Sequence, residues 1–243
     1  MNTLGFSKAA LPLFAAMALA GCGSVIPSSS DGSASARSAD RAPTYTRREP
    51  GRIASTAQNI ATNPQDAACL TDLSQTGARF SPLPDTYAAP GCNKLGTVQL
   101  MALSGDASQF GISNIGPVQC RVANTFSDWA RFGVDRAARQ ILGSPLKRIV
   151  TMGSYACRNV AGSDRRSAHA RAEAIDVSGF ELEDGRRISL IEDWNGGTAA
   201  EREFLRVVHK SACKRFGTVL GPEYNRAHAD HFHLEGTGGR FCR

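Results

Sequence analysis

Two short stretches of this chain hold side chains that can do chemistry. Near the C-terminus it runs His228-Ala229-Asp230-His231-Phe232-His233, and upstream of that Ser167-Ala168-His169-Ala170-Arg171-Ala172-Glu173-Ala174-Ile175-Asp176-Val177. Four of the five histidines of the 243-residue sequence fall in these two segments. Neutral imidazole and carboxylate are ligands for a borderline-soft divalent ion such as zinc, and a catalytic zinc site needs three protein ligands and an open position. His169, Asp176 and one member of the His231-x-His233 pair supply such a set.

Those ligands need elements to aim them, and strand geometry does so. Alternate residues of a strand share a face. Over 173–178 this puts Ala174, Asp176 and Ser178 on one side and Ile175 and Val177 on the other. Over 230–235 it puts His231, His233 and Glu235 together, with Phe232 and Leu234 opposite. Each segment is polar toward a site and apolar toward a core, so two such strands side by side aim Asp176 and both histidines into one cleft.

The rest of the chain divides by composition. Lys8 followed by an apolar run from Ala9 to Ala20 is too short to span a bilayer and fits the apolar region of an export signal. The run ends in Leu19-Ala20-Gly21-Cys22, which resembles the lipobox of bacterial lipoproteins. That resemblance implies a signal over 1–21, acylation of Cys22, and periplasmic attachment to the outer rather than the inner membrane, since Gly23 and not Asp follows the cysteine. Residues 22–60, rich in Ser, Ala, Arg and Pro without an apolar period, read as a flexible tether. Residues 61–243 suit one domain.

Seven cysteines occur. Setting Cys22 aside leaves Cys69, Cys92, Cys120, Cys157, Cys213 and Cys242, an even set in an exported chain, which reads as three disulfides. Sequence leaves the pairing open; Cys213 with Cys242, tying the C-terminus to a helix, is the pair expected. Net charge is +6, with no basic run interleaved with aromatics, which argues against nucleic acid as a partner.

Within the domain, 69–95 look loop-rich and 96–103 form a short strand. A helix covers 118–142, interrupted near Gly133, with Phe126, Trp129 and Ala130 on its buried stripe. Leu146–Met152, 173–182 and 186–191 read as strands, 198–215 as the clearest helix with Phe204, Leu205, Val208 and Ala212 at helical spacing, and 229–235 as the last strand. Segregated strands and helices argue for an α+β single domain: a small antiparallel sheet carrying a zinc cleft, flanked by helices and stapled by disulfides. Nothing suggests an organic cofactor, and a monomer is the default.

The chain resembles the extensin-like C-terminal domain family of bacteria over about residues 66–243. The matching pieces are Gly153-Ser-Tyr-Ala-Cys-Arg158, Ser167-x-His169-Ala, Ala174-Ile-Asp176-Val-Ser-Gly-Phe180, Asp184-Gly-Arg186, Asp193-Trp194, and Leu220-Gly-Pro-Glu-Tyr-Asn225 running into His228-x-Asp-His231-Phe-His233. The same residues resemble a wider group of zinc peptidases: lysostaphin-type enzymes, D-alanyl-D-alanine carboxypeptidases and penicillin-insensitive murein endopeptidases. That group uses His-x6-Asp followed by His-x-His or a close variant. Carried over by position, the resemblance implies one zinc ion on His169, Asp176 and His233, with His231 as the catalytic histidine and Arg158 as a contact for substrate carboxylate. Ser167, His228 and Asp230 become candidates to orient the ligands. The carboxypeptidases often carry Gly where this chain has Ala172, and use a glutamate base with no clean counterpart here, where Glu223 and Asp230 lie nearby. The implied activity is hydrolysis of peptide bonds in peptidoglycan stem peptides or crosslinks. The competing expectation is a non-catalytic, lipid-tethered module that binds the wall and holds zinc structurally.

Overall fold

The computed structural model describes residues 64–236 and 239–243. The signal, the Cys22 lipidation site and the tether lie outside them. Their core is built on one strand, β8 (Ala174–Leu182), whose two faces have opposite character. Ile175, Val177, Phe180 and Leu182 are almost completely buried, while Asp176, Ser178 and Glu181 point to the other side and remain partly exposed. The alternation slips by one residue at Gly179, where the pairing register with the neighbouring strand also shifts. A Cβ at Gly179 would meet the carbonyl oxygen of Ile188 at 2.5 Å, so glycine lets β9 (Arg187–Ser189) close on the bulge.

Nine further strands complete the sheet around β8. On one side, β7 (Leu146–Gly153) pairs antiparallel with β8. β5 (Gln109–Ser113) then joins β7 in parallel, followed by β4 (Thr97–Ser104) and β1 (Arg79–Pro82), with β6 (Val118–Gln119) also on β4. On the other side lie β11 (Phe232–Glu235), β10 (Thr218–Leu220) and β12 (Phe241–Cys242), the last parallel to β10. A separate hairpin joins β2 (Thr86–Ala89) to β3 (Cys92–Lys94). The expected small antiparallel sheet is thus a ten-stranded mixed one. Its extra strands are mostly two to five residues long, too short for a period of two to show, and the parallel β5–β7 pair needs the long helical crossover between them.

Helices cover the apolar face. α1 (Pro64–Gln75) precedes the sheet, in a stretch read partly as loop. α2 (Cys120–Asp128) continues without a break through wider π-type turns over Trp129–Asp135 and Ala138–Leu142. Gly133 does not interrupt it; the missing Cβ instead lets the helix lie directly against Ser211 on α4 (Ala199–Cys213). α4 begins with a capping box between Thr198 and Glu201. α3 (Leu190–Gly196) occupies the end of the stretch read as a strand, and Asp193 accepts a hydrogen bond from the Ser189 amide at 2.7 Å. Trp129 sits fully buried among Phe126, Phe180 and Phe216 and donates Nε1–H to the Val208 carbonyl at 3.0 Å. Burying side chains of this size contributes about 1.5–3 kcal/mol each.

Three disulfides staple the layers: Cys69–Cys120, Cys92–Cys157 and Cys213–Cys242. The first joins α1 to α2, the second ties β3 to the loop after β7, and the third fixes the chain end to α4, the pairing expected for it.

Candidate metal centre

His169 is carried by a single 3₁₀ turn, Ala168–Arg171, between β7 and β8. Ser167 caps the turn, its hydroxyl accepting from the His169 amide at 3.4 Å. Ala172 ends it in the left-handed conformation, φ 55°, which reverses the chain and delivers it into β8. The same reversal brings Asp176 back beneath His169. His233 lies directly opposite Asp176 in the β8–β11 ladder, and side chains of directly opposed residues stand on one face.

The three side chains meet. Asp176 Oδ1 lies 2.8 Å from His233 Nδ1, Asp176 Oδ2 lies 3.1 Å from His169 Nε2, and the two imidazole nitrogens are 3.1 Å apart. One donor atom from each lies within 4.8 Å of the others. The outer ring nitrogens find acceptors: His169 Nδ1–H donates to the Ser154 carbonyl at 3.2 Å and His233 Nε2–H to Glu235 at 2.9 Å. The first bond fixes the tautomer of His169, whose Nε2 lone pair turns inward; His233 has a carboxylate at each nitrogen and offers its Nδ1 pair inward once the proton there is displaced.

Three inward electron pairs repel unless a cation sits among them. In the metal-free site a proton plays that part. Burial opposes a charge on His233, but hydrogen bonds to Asp176 and Glu235 overcome it and lift its pKa to about 9. Burial likewise opposes ionisation of Asp176, yet bonding to His169 and His233 holds its carboxyl well below the usual range. Two imidazoles, a carboxylate and acceptors behind the rings together fit a zinc-type ion. A second group, His209 with Cys213 and Cys242, has comparable spacing, but its sulfurs are bonded to each other.

The other candidates fall around this cluster. His231 Nε2 stands 3.7 Å from Asp176 Oδ1, and its Nδ1 is 2.8 Å from Asp230; β11 begins only at Phe232, so His231 sits on the approach to the strand. The His228 ring is tilted against His231 and meets His233 edge-on, with Nδ1 2.7 Å from Asn225. Burial and the neighbouring imidazoles push its pKa down to about 4, so it stays neutral. Ser167 shapes the turn rather than touching a ring, and the Ser154 carbonyl holds His169 Nδ1 instead. Asp230 orients His231, not a ligand. Glu223 is exposed and paired with Arg206. Arg158 is exposed on the loop whose Ala156 amide bonds the His169 carbonyl, and its guanidinium makes no hydrogen bond or ion pair among the described residues.

Sequence reasoning did not assign roles to Ser154 and Glu235. Glu235 was legible as a third outward residue of the His231-x-His233 strand face, whereas a backbone carbonyl leaves no trace in residue type.

A family profile described as the extensin-like protein C-terminus matches residues 67–243. No curated protein and no solved structure matches the chain.

Proposed function

We propose that this chain, which belongs to the family of extensin-like protein C-termini, is a zinc-dependent peptidase that hydrolyses peptide bonds in peptidoglycan stem peptides or crosslinks. The observation that carries the reading is the convergence of His169, Asp176 and His233 with the Nε2 of His231 on their rim. The same spacing is what resembles the zinc murein peptidases.

A bound zinc ion supplies Lewis acidity, polarising a carbonyl and bringing the pKa of water to about 7. The chain does the rest. The Ser154 carbonyl and Glu235 keep both ligand rings in the tautomer that offers an inward lone pair. Asp230 holds the His231 Nδ1 proton, which leaves Nε2 free to take a proton from attacking water and return it to the leaving amine. General acid–base help of this kind is worth roughly 10²–10⁴-fold. His228, held neutral, adds no competing charge. Arg158 offers its unpaired guanidinium to a stem-peptide carboxylate. Three disulfides and a lipobox-like Cys22 support a periplasmic protein, lipid-anchored at the outer membrane and reaching the wall through residues 22–60.

Incubation with purified peptidoglycan is expected to change the muropeptide profile, with a chelator stopping the change and zinc restoring it. His231→Ala is expected to keep its zinc and lose cleavage by about 10²-fold or more. An unchanged profile from protein with stoichiometric zinc would overturn the reading.

One observation favours a second reading. The cluster is largely closed off, with the His169, His233 and Asp176 side chains 3%, 8% and 14% exposed, as suits a structural ion in a lipid-tethered wall-binding module. That module would pull down peptidoglycan without cutting it, equally well with or without His231.

A further inference from the structure

The sheet face that carries the cluster continues past Asp176. Ser178 follows on the same face of β8, and Val150 and Met152 are the adjacent outward residues of β7. With Ile191 of α3 and Asp230 they line a trough of about 440 Å³, within the size range of ordinary ligand sites. Met152 is 54% and Ile191 62% exposed. Large apolar side chains scattered singly in solvent need no explanation; two in one trough beside a histidine cluster do.

We infer that this trough receives the uncharged stretch of peptide that flanks the scissile bond, with Met152 and Ile191 setting a preference for apolar over acidic residues. The inference rests on the peptidase reading. Continuity identifies the occupant: Asp230 both lines the trough and holds His231, and Ser178 is the next outward residue after Asp176, so a peptide leaving the cluster along this face enters the trough. Charge identifies its character. At the far end Glu181 is already bonded to Arg148 and Arg187, at 3.1 and 3.2 Å. An acidic side chain lodged midway would lie between apolar walls and two carboxylates, Asp230 and Glu181, while the lining cation Arg187 is already engaged by Glu181. Alanine-type residues meet neither cost.

Methyl NMR of ¹³C-methionine-labelled protein tests this without turnover. The form used is zinc-loaded His231→Ala, with metal-free wild-type protein as a second non-cutting form. Met152→Leu assigns the trough signal, and Met101, 47% exposed on β4, is the internal control. An alanine-rich tetrapeptide is expected to shift the Met152 methyl saturably and leave Met101 still. Replacing one of its alanines by glutamate, or Ile191→Glu in the protein, is expected to weaken binding about tenfold or more with zinc content unchanged. A silent Met152, equal movement of Met101, or a Met152 shift that follows protein concentration alone, as a second copy in the trough would give, overturns the inference. A Met152 shift in a protein that never cleaves supports the trough and removes the peptidase reading, so the two fail separately.

Discussion

Two histidines lie back to back across β11 and have opposite fates. His233 projects from the outer face into the ligand cluster. His209 comes from α4 and packs on the inner face, its ring centroid 5.2 Å from Phe232 and 5.8 Å from Trp194. Burial disfavours charge on both. On His209 burial prevails and its pKa falls. On His233 carboxylates at both nitrogens reverse the sign. Each also has a trio of metal-type ligands at suitable spacing, yet only one trio has its donor atoms available. Proximity of ligand-type residues therefore does not make a site; the groups behind the rings and the state of the sulfurs decide.

The sharpest way to break the contrast is to remove one member of each trio. Asp176→Ala or His169→Ala is expected to abolish stoichiometric zinc in elemental analysis, while His209→Ala keeps it; zinc lost equally from both would erase the distinction. Glu235→Gln tests the group behind the ring, and zinc affinity measured by chelator competition is expected to drop roughly 10–100-fold. Opening the other trio by a Cys213→Ser, Cys242→Ser double change is expected to cost about 2–4 kcal/mol in denaturant unfolding with zinc retained.

The smallest effect, in pH, separates the two histidines by sign. The pKa of His233 rises from 6.5 to about 9 on folding. In metal-free protein its stabilisation is therefore complete below about 6.5 and lost as pH rises through about 9. The pKa of His209 falls on folding, so its contribution is present above about 6.5 and lost as pH drops below that. Thermal melts of chelated protein should show Tm declining on the alkaline side, flattened by His233→Gln, and on the acid side, flattened by His209→Phe. Zinc displaces the His233 proton, so its affinity is expected to tighten as pH rises toward 9.

Much of this contrast could be read from the sequence. Alternation in 173–178 and 230–235 is strong because each strand separates water from a packed interior, and that placed Asp176 and His233 on one face. The helix that carries His209 is as expected, but its ring is half-buried between aromatics, a contact between elements that periodicity does not encode. The same limit hid β5, β10 and β12, which exist because neighbours supply hydrogen-bond partners, and α3, whose Leu190-Ile191 continues an apolar run begun in β9 before Asp193 caps the turn. Trp129, expected on the buried stripe of its helix, is 0% exposed.

The bridge from Cys92 to Cys157 links the β2–β3 hairpin to the metal cluster's own support. The loop it restrains supplies the carbonyl behind His169 and carries Arg158, and Arg166 reinforces the attachment by donating to the Pro90 carbonyl at 3.0 Å. Cutting the bridge would leave Arg166 as a lone tie between this loop and the β2–β3 hairpin, so the backing of His169 and the seat of Arg158 stand or loosen together.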